Sequence, residues 1–289
     1  MVTYIDAVEM AEKKREELAA RAASFFEKHG RKPMLVVIKA NYDARSSLYV
    51  NNKIKECKAI GIDSSVLEIH GHLTDNDKVA KQIKELNDNP NVDGILLQSP
   101  VYHHLNEHEL AQLIDPKKDV DCFTYENIGK MAYGRGMAKP CTAQGVIDIL
   151  RHHKVKLKGR HAVVVGRSMI SGKPVADMLI QHNCTVTICH SKTRNISQFT
   201  KQADIVVTCA GNADMILAED LKPEAVVINV GFDRDEYGRL SGDVDLLDLQ
   251  CSDNNFCATT ITKSTGLATV MALIENTINL AEERMKNND

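Results

Sequence analysis

Short apolar runs alternate along this chain with longer segments whose apolar positions return every three or four residues, the periodicities of buried strand and amphipathic helix. The pattern predicts a long N-terminal helix over about Ile5 to Lys28, ending at Gly30, then a strand over Met34 to Lys39. A helix over Ser46 to Ile60 is stopped by Gly61. A strand (Ser65 to His70), a helix (Asp75 to Leu86), a strand (Val92 to Gln98, halted at Pro100) and a helix (Leu105 to Ile114) follow. A Lys- and Asp-rich turn, Asp115 to Asp121, leads into a crossing that carries Gly129, Gly134 and Gly136.

After Pro140 a helix over Ala143 to His153 introduces further strands at about His161–Val165, Thr185–Cys189, Asp204–Cys209 and Val226–Val230. The last amphipathic helix covers Leu267 to Met285. Strand–helix alternation implies α/β architecture with parallel sheets. The expected organisation is two α/β domains. Residues 1–139 form the first, completed by a returning C-terminal helix over 267–289, and residues 140–266 form a second, Rossmann-like domain.

Composition narrows the function classes. At 289 residues the chain has room for two cores, and 43% hydrophobic with 26% charged residues is a globular balance. A net charge of −3 with dispersed basic residues gives no reason to expect nucleic acid. No apolar run reaches membrane-spanning length, and the first residues lack a signal-peptide core. The eight cysteines show neither C-x-x-C pairing nor metal-ligand spacing, so reduced thiols, no metal site and a cytoplasmic protein are expected.

The most informative segment begins with Val163-Val164-Val165 and continues Gly166-Arg167-Ser168-Met169-Ile170-Ser171-Gly172-Lys173-Pro174. It reads as strand, turn and helix, and such a turn aims backbone N–H groups and the positive end of a helix dipole at an anion. The spacing differs from G-x-G-x-x-G, while Arg167 and Ser168 add a cation and a hydroxyl where a phosphate would sit. The next strand ends in His190-Ser191-Lys192-Thr193-Arg194, without the carboxylate that binds a ribose 2′-hydroxyl. Ser191 and Lys192 suit a 2′-phosphate, so NADP is expected over NAD.

In the first domain, Tyr49 and Lys53 stand four apart on one helix face, and a lysine in a partly apolar site can titrate nearer neutrality. Gln98 follows an apolar strand, at the end where ligands bind in parallel sheets. Asp121 follows an apolar turn, and a helix N-cap for Tyr125 to Met131 is its ordinary alternative role.

Together these segments resemble the bifunctional methylenetetrahydrofolate dehydrogenase/methenyltetrahydrofolate cyclohydrolases over nearly the whole chain. The resemblance rests on Tyr49-Val50-x-x-Lys53, Gly94-Ile95-Leu96-Leu97-Gln98-x-Pro100, Lys118-Asp119-Val120-Asp121, Pro140-Cys141-Thr142 and the Gly166 turn. His190-Ser191-Lys192-Thr193, Gly242-Asp243-Val244 and Glu275-Asn276-Thr277 extend it. It implies oxidation of methylenetetrahydrofolate by NADP, then hydrolysis of the methenyl product to 10-formyltetrahydrofolate, in a homodimer. By resemblance, Lys53 handles protons, Gln98 tunes Lys53, Tyr49 stacks on the folate and Asp121 binds its pterin. Gly166, Arg167, Ser168, Ser191, Lys192 and Phe232 fall to the cofactor.

Departures gather on the folate side. Thr259 to Thr269 replaces a Pro- and Gly-rich run and keeps Gly266 alone of its glycines. Cys122 replaces a glycine, and Tyr102 and Ala143 each replace a proline. Lys39 to Ala44 lacks the glycine and proline expected before Tyr49. Phe232 stands at a usually aliphatic position. The rival expectation is therefore a divergent paralogue that keeps the fold and NADP site with altered folate catalysis. A non-catalytic nucleotide-binding scaffold is a third, against which Lys53 argues.

Overall fold

The computed structural model describes residues 1–71, 74–234, 238–260 and 263–286. In chain order the elements are β1 (Val2–Ile5), α1 (Val8–His29), β2 (Met34–Lys39), α2 (Ala44–Ile60), β3 (Asp63–Glu68), α3 (Asn76–Asp88) and β4 (Gly94–Leu97). Then come α4 (Glu107–Gln112), α5 (Tyr125–Ala132), α6 (Cys141–His152), β5 (His161–Val165), α7 (Gly172–Gln181), β6 (Thr185–Cys189), α8 (Ser197–Thr200) and β7 (Ile205–Thr208). The remainder is β8 (Val226–Asn229), β9 (Phe232–Arg234), β10 (Leu240–Gly242), α9 (Leu246–Cys251), β11 (Phe256–Thr259) and α10 (Thr265–Lys286).

The chain divides into two compact α/β units. One comprises Lys13–Cys141 and Val270–Asp289, and the other Met1–Glu12 and Thr142–Thr269. The first holds a parallel sheet in the order β3-β2-β4. β2 is buried through Leu35 to Ile38 because helices need apolar strand residues on both sheet faces. Val36, Ile38, Ile83, Ile95 and Leu110 pack into one core, α3 presenting Val79 and Ile83 to it. Asp75 caps α3 by accepting the Lys78 N–H at 2.9 Å.

Beyond β4, Ile95 pairs in parallel with Asp119, and the Ile95 N–H donates to the Lys118 carbonyl at 2.7 Å. That bridge lays residues 118–119 beside β4, so the Asp121 turn and Gln98 both follow at the carboxyl end of the sheet. Lys118 Nζ, buried, donates to the carbonyls of Leu86, Asn87 and Asn89 and closes the end of α3.

The other unit holds a parallel sheet in the order β1-β11-β8-β7-β5-β6 and a β9–β10 antiparallel ribbon. This corrects the expected N-terminus. Val2–Ile5 is a strand in register with Phe256–Thr259, so the first helix begins at Val8 rather than about Ile5, and Met1–Glu12 group with this sheet rather than with the rest of residues 1–139. The alternation Val2, Thr3, Tyr4, Ile5 suits an edge strand, and a helix cannot pair with β11. The strand at Phe256–Thr259 was also absent from the sequence pattern. α10 begins at Thr265, and its residues from Val270 onward belong to the unit of the first sheet. Among the described residues, no helix is long and apolar enough to cross a membrane.

One buried charge fixes the end of α10. Asp93, with no exposed surface, accepts a forked pair of bonds from Arg31 at 2.6 and 2.8 Å, one from Arg284 at 3.0 Å and the Met34 N–H at 2.9 Å. Removing one member of such a cluster leaves uncompensated charge beside an apolar strand. Asp93→Ala is expected to cost about 3–5 kcal/mol, measured by urea unfolding; a loss under about 1 kcal/mol would show that water replaces the carboxylate.

Candidate active site

α2 carries Tyr49, Lys53 and Cys57 at successive turns of one face. Tyr49 is 42% exposed while Cys57 is buried, so the face descends from solvent into the core with Lys53 half-buried between them. Burial around Cys57 pushes its thiol up to about 12, leaving it an inert neutral group.

Lys53 Nζ donates to Gln98 Oε1 at 2.8 Å. The orientation of that amide is fixed because Gln98 Nε2 donates to the Ser99 carbonyl at 2.7 Å, and its backbone N–H continues the ladder to Ile38. Burial holds the Lys53 amine below its ordinary value, and the Asp121 charge works against that shift. Asp121 is displaced the other way: burial raises its carboxyl, while the Cys141 thiol and the Lys53 charge draw it down. Each group thus stabilises the charge that burial disfavours in the other.

Asp121 is not the N-cap of α5. Thr124 fills that position, and Asp119 holds it there, accepting the N–H groups of Phe123 at 3.1 Å and Thr124 at 2.9 Å. Asp121 Oδ1 instead accepts the N–H of Cys141, the first residue of α6, at 3.1 Å. Between Asp121 and Phe123 the chain turns through Cys122 at φ 61°. Only glycine takes that conformation without strain, which accounts for the glycine of the family pattern, and cysteine here costs of order 1 kcal/mol. Tyr102, in place of a proline, donates from its hydroxyl to the Ile69 carbonyl at 3.2 Å and packs edge-on to Tyr42.

The other unit presents a separate recess. Gly166 follows β5 at φ 137°, and a Cβ there would lie 2.7 Å from the Cys209 carbonyl oxygen. A Cβ on Gly172 would lie 2.3 Å from the Gly166 oxygen, so the two glycines let α7 start against the strand end. Ser168 and Ser171 hydroxyls meet at 2.8 Å within the turn. Gly166, Arg167, Ser168 and Ser191 line a cavity of about 350 Å³ together with Ala210 and Asn212. Lys192, exposed, and Phe232, on β9, stand outside that lining.

The 209–212 wall was missing from the sequence reading. It follows the carboxyl end of β7 as Gly166 follows β5, and that equivalence could have found it. Its shape is set by Asp243, fully buried, which accepts the Ala210 N–H at 2.7 Å and the Asn212 N–H at 2.8 Å. A glycine turn, a cation, two hydroxyls and a helix N-terminus fit the phosphate portion of a dinucleotide.

Of the altered loop, residues 261 and 262 lie outside the described residues. Beyond them Lys263 stands at φ 61°, its carbonyl accepting the Ala7 N–H at 2.8 Å, and the Thr265 hydroxyl donates to the Asn229 carbonyl at 3.2 Å.

Comparison with known proteins agrees with this geometry. The sequence model described as tetrahydrofolate dehydrogenase/cyclohydrolase, catalytic domain, matches residues 5–121, and that of the family's NAD(P)-binding domain matches 140–285. The chain belongs to the tetrahydrofolate dehydrogenase/cyclohydrolase family. It is 40% identical over 287 residues to the bifunctional protein FolD of Bdellovibrio bacteriovorus, covering 99% of each chain. The crystal structure of the bifunctional FolD enzyme of Campylobacter jejuni superposes with a TM-score of 0.92 at 32% identity, over 98% of this chain and 100% of that one. The Trypanosoma brucei enzyme, solved with NADP cofactor and inhibitor, gives 0.92 at 29% identity over 99% of each chain. In family terms, the recess at Gly166 lies in the NAD(P)-binding domain and the Lys53 group in the catalytic domain.

Proposed function

We infer that this chain is an NADP-dependent 5,10-methylenetetrahydrofolate dehydrogenase that also hydrolyses the methenyl product to 10-formyltetrahydrofolate. The observation that carries the reading is the bond from Lys53 to Gln98 beside Asp121, within a chain that matches both family domains at full length. Nothing in those matches favours the divergent paralogue, and the set Tyr49, Lys53, Gln98 and Asp121 is complete.

Bound NADP would supply the hydride acceptor for the carbon bridging N5 and N10, whose oxidation leaves the methenyl cation. Gly166, Arg167, Ser168 and Ser191 would hold the cofactor's phosphates, with Lys192 the cation for the 2′-phosphate and Phe232, on β9, a further cofactor contact. Asp121 hydrogen-bonds the pterin and Tyr49, open to solvent on α2, stacks on the folate.

Hydrolysis needs a group that takes a proton and returns one. Water adds to the cationic carbon and loses a proton to the neutral Lys53 amine. The carbon–N5 bond then breaks, the lysine ammonium protonates N5, and one proton is released overall. Burial keeps the amine accessible below the ordinary lysine range, while Gln98 fixes the direction of one N–H. Metal is unnecessary, because the one-carbon unit is already an electrophile.

A folate-binding catalytic domain, expected over 1–139 with the C-terminal helix and supported by the compact unit Lys13–Cys141 with Val270–Asp289, the cytoplasmic location and a homodimer built through the NADP-binding domain complete the reading. For the dimer, sedimentation should give twice the monomer mass at micromolar concentration, and a monomer alone would remove it.

Lys53→Met keeps the apolar stem and removes the titrating head. Cyclohydrolase turnover, followed as loss of methenyl absorbance, is expected to fall by ~10²-fold or more with NADP affinity unchanged; near-parent rates would clear Lys53 of the role. Lys192→Ala is expected to weaken NADP about tenfold, ~1.4 kcal/mol, and NAD hardly at all. Equal losses for the two dinucleotides in a binding titration would place the 2′-phosphate elsewhere.

A further inference from the structure

The family motif Glu275-Asn276-Thr277 lies mid-way along α10 and has no part in the chemistry above. Asn276 is 3% exposed and uses its whole side-chain amide. Nδ2 donates to the Val120 carbonyl at 2.8 Å and the Lys139 carbonyl at 2.7 Å, and lies 3.5 Å from Cys141 Sγ. Oδ1 accepts the Lys139 N–H at 3.3 Å. The backbone donor from Lys139 and the two carbonyl acceptors leave no ambiguity about which way the amide faces.

These contacts form a closed ring. Val120 precedes Asp121, Lys139 stands two residues before Cys141, and the Cys141 N–H is the donor to Asp121. The Cys141 thiol, itself buried, donates back to the Val120 carbonyl at 3.3 Å. One side chain from α10 therefore ties together both strands of loop on which the Asp121 carboxylate depends. Thr277, the next residue, lies where a Cβ on Gly94 would meet it at 3.3 Å, so this turn of α10 also packs on β4. An amide that merely filled space would not need every donor and acceptor matched to backbone of two separate loops.

We propose that Asn276 is a positioning residue for the folate reactions, holding the Asp121 carboxylate in place relative to Lys53 through the Val120 and Cys141 backbone. The proposal rests on the reading of Lys53 and Asp121 given above. It adds the element that couples the C-terminal helix to them. A carboxylate released from this ring drifts from the amine whose charge it supports, and from the pterin it binds.

The experiment compares the full-length parent with Asn276→Ala, Asp121→Asn and the double variant. In Asn276→Ala, kcat/KM for the folate should fall about tenfold or more, as displacements of about an ångström do, while the Kd for NADP stays within about twofold and reports an intact fold. The Lys53 titration, followed by NMR of 13C-labelled lysine with Lys53→Met for assignment, should move to lower pH, because less negative charge then supports the ammonium. In the Asp121→Asn background, Asn276→Ala should shift that titration no further. Parent-like folate kinetics and titration in Asn276→Ala would overturn the proposal, as would an equal shift in both backgrounds. A parent without folate turnover would sink the functional reading instead, and the titration pair would still decide the positioning. If Asn276→Ala fails to fold, Asn276→Ser is used, with the same directions expected.

Discussion

A lysine amine and a carboxylate taken partly out of water each lose hydration, and the site in the first unit is arranged around that loss. Alone, burial would neutralise both groups: Lys53 by losing its proton, Asp121 by keeping one. Their opposite charges offset part of that tendency, and Gln98 and the Cys141 N–H supply directed bonds to one each. The outcome is an amine displaced below the usual lysine range but still able to carry a proton. This is the property that a group alternating between base and acid needs.

Such a balance depends on distance, and distance is set by the sheet. Parallel pairing puts the ends of β2 and β4 side by side, and the single bridge from Ile95 to Asp119 brings the Asp121 loop to the same level. The buried Lys118 is used up on backbone carbonyls, and Asp119 on the Phe123 and Thr124 N–H groups, the Thr124 hydroxyl and the Asn127 amide. The Asp119 charge still reaches the site, adding to the upward displacement of the Asp121 carboxyl. Cys122 shows what the arrangement demands: the chain passes through a conformation made for glycine with a side chain present.

The NAD(P)-binding domain meets a different constraint, the approach of backbone to phosphate. Gly166 and Gly172 remove the Cβ atoms that would hold α7 away from β5, and buried Asp243 draws the 209–212 backbone into the opposite wall. Asp243 shapes that wall through the N–H groups it holds. Its carboxyl is raised by burial and drawn back by those same bonds.

Much was legible in the sequence alone. Periodicity gave the strand–helix alternation and the parallel sheets, because burial on one or two faces writes itself directly into residue spacing. The Gly166 turn and the missing carboxylate after β6 pointed to a 2′-phosphorylated dinucleotide, since both are local in the chain. Tyr49, Lys53, Gln98 and Asp121 were singled out by helix spacing, strand ends and family resemblance. Only the tertiary structure decided which of them meet: the Lys53–Gln98 bond joins residues 45 apart. It also revealed the strand Val2–Ile5, because its partner β11 is distant in sequence and no local pattern records it. Asn276 shows the same limit most plainly. The sequence marks Asn276 only as part of a family segment, and its role exists only where folding brings Val120, Lys139 and Cys141 around one amide.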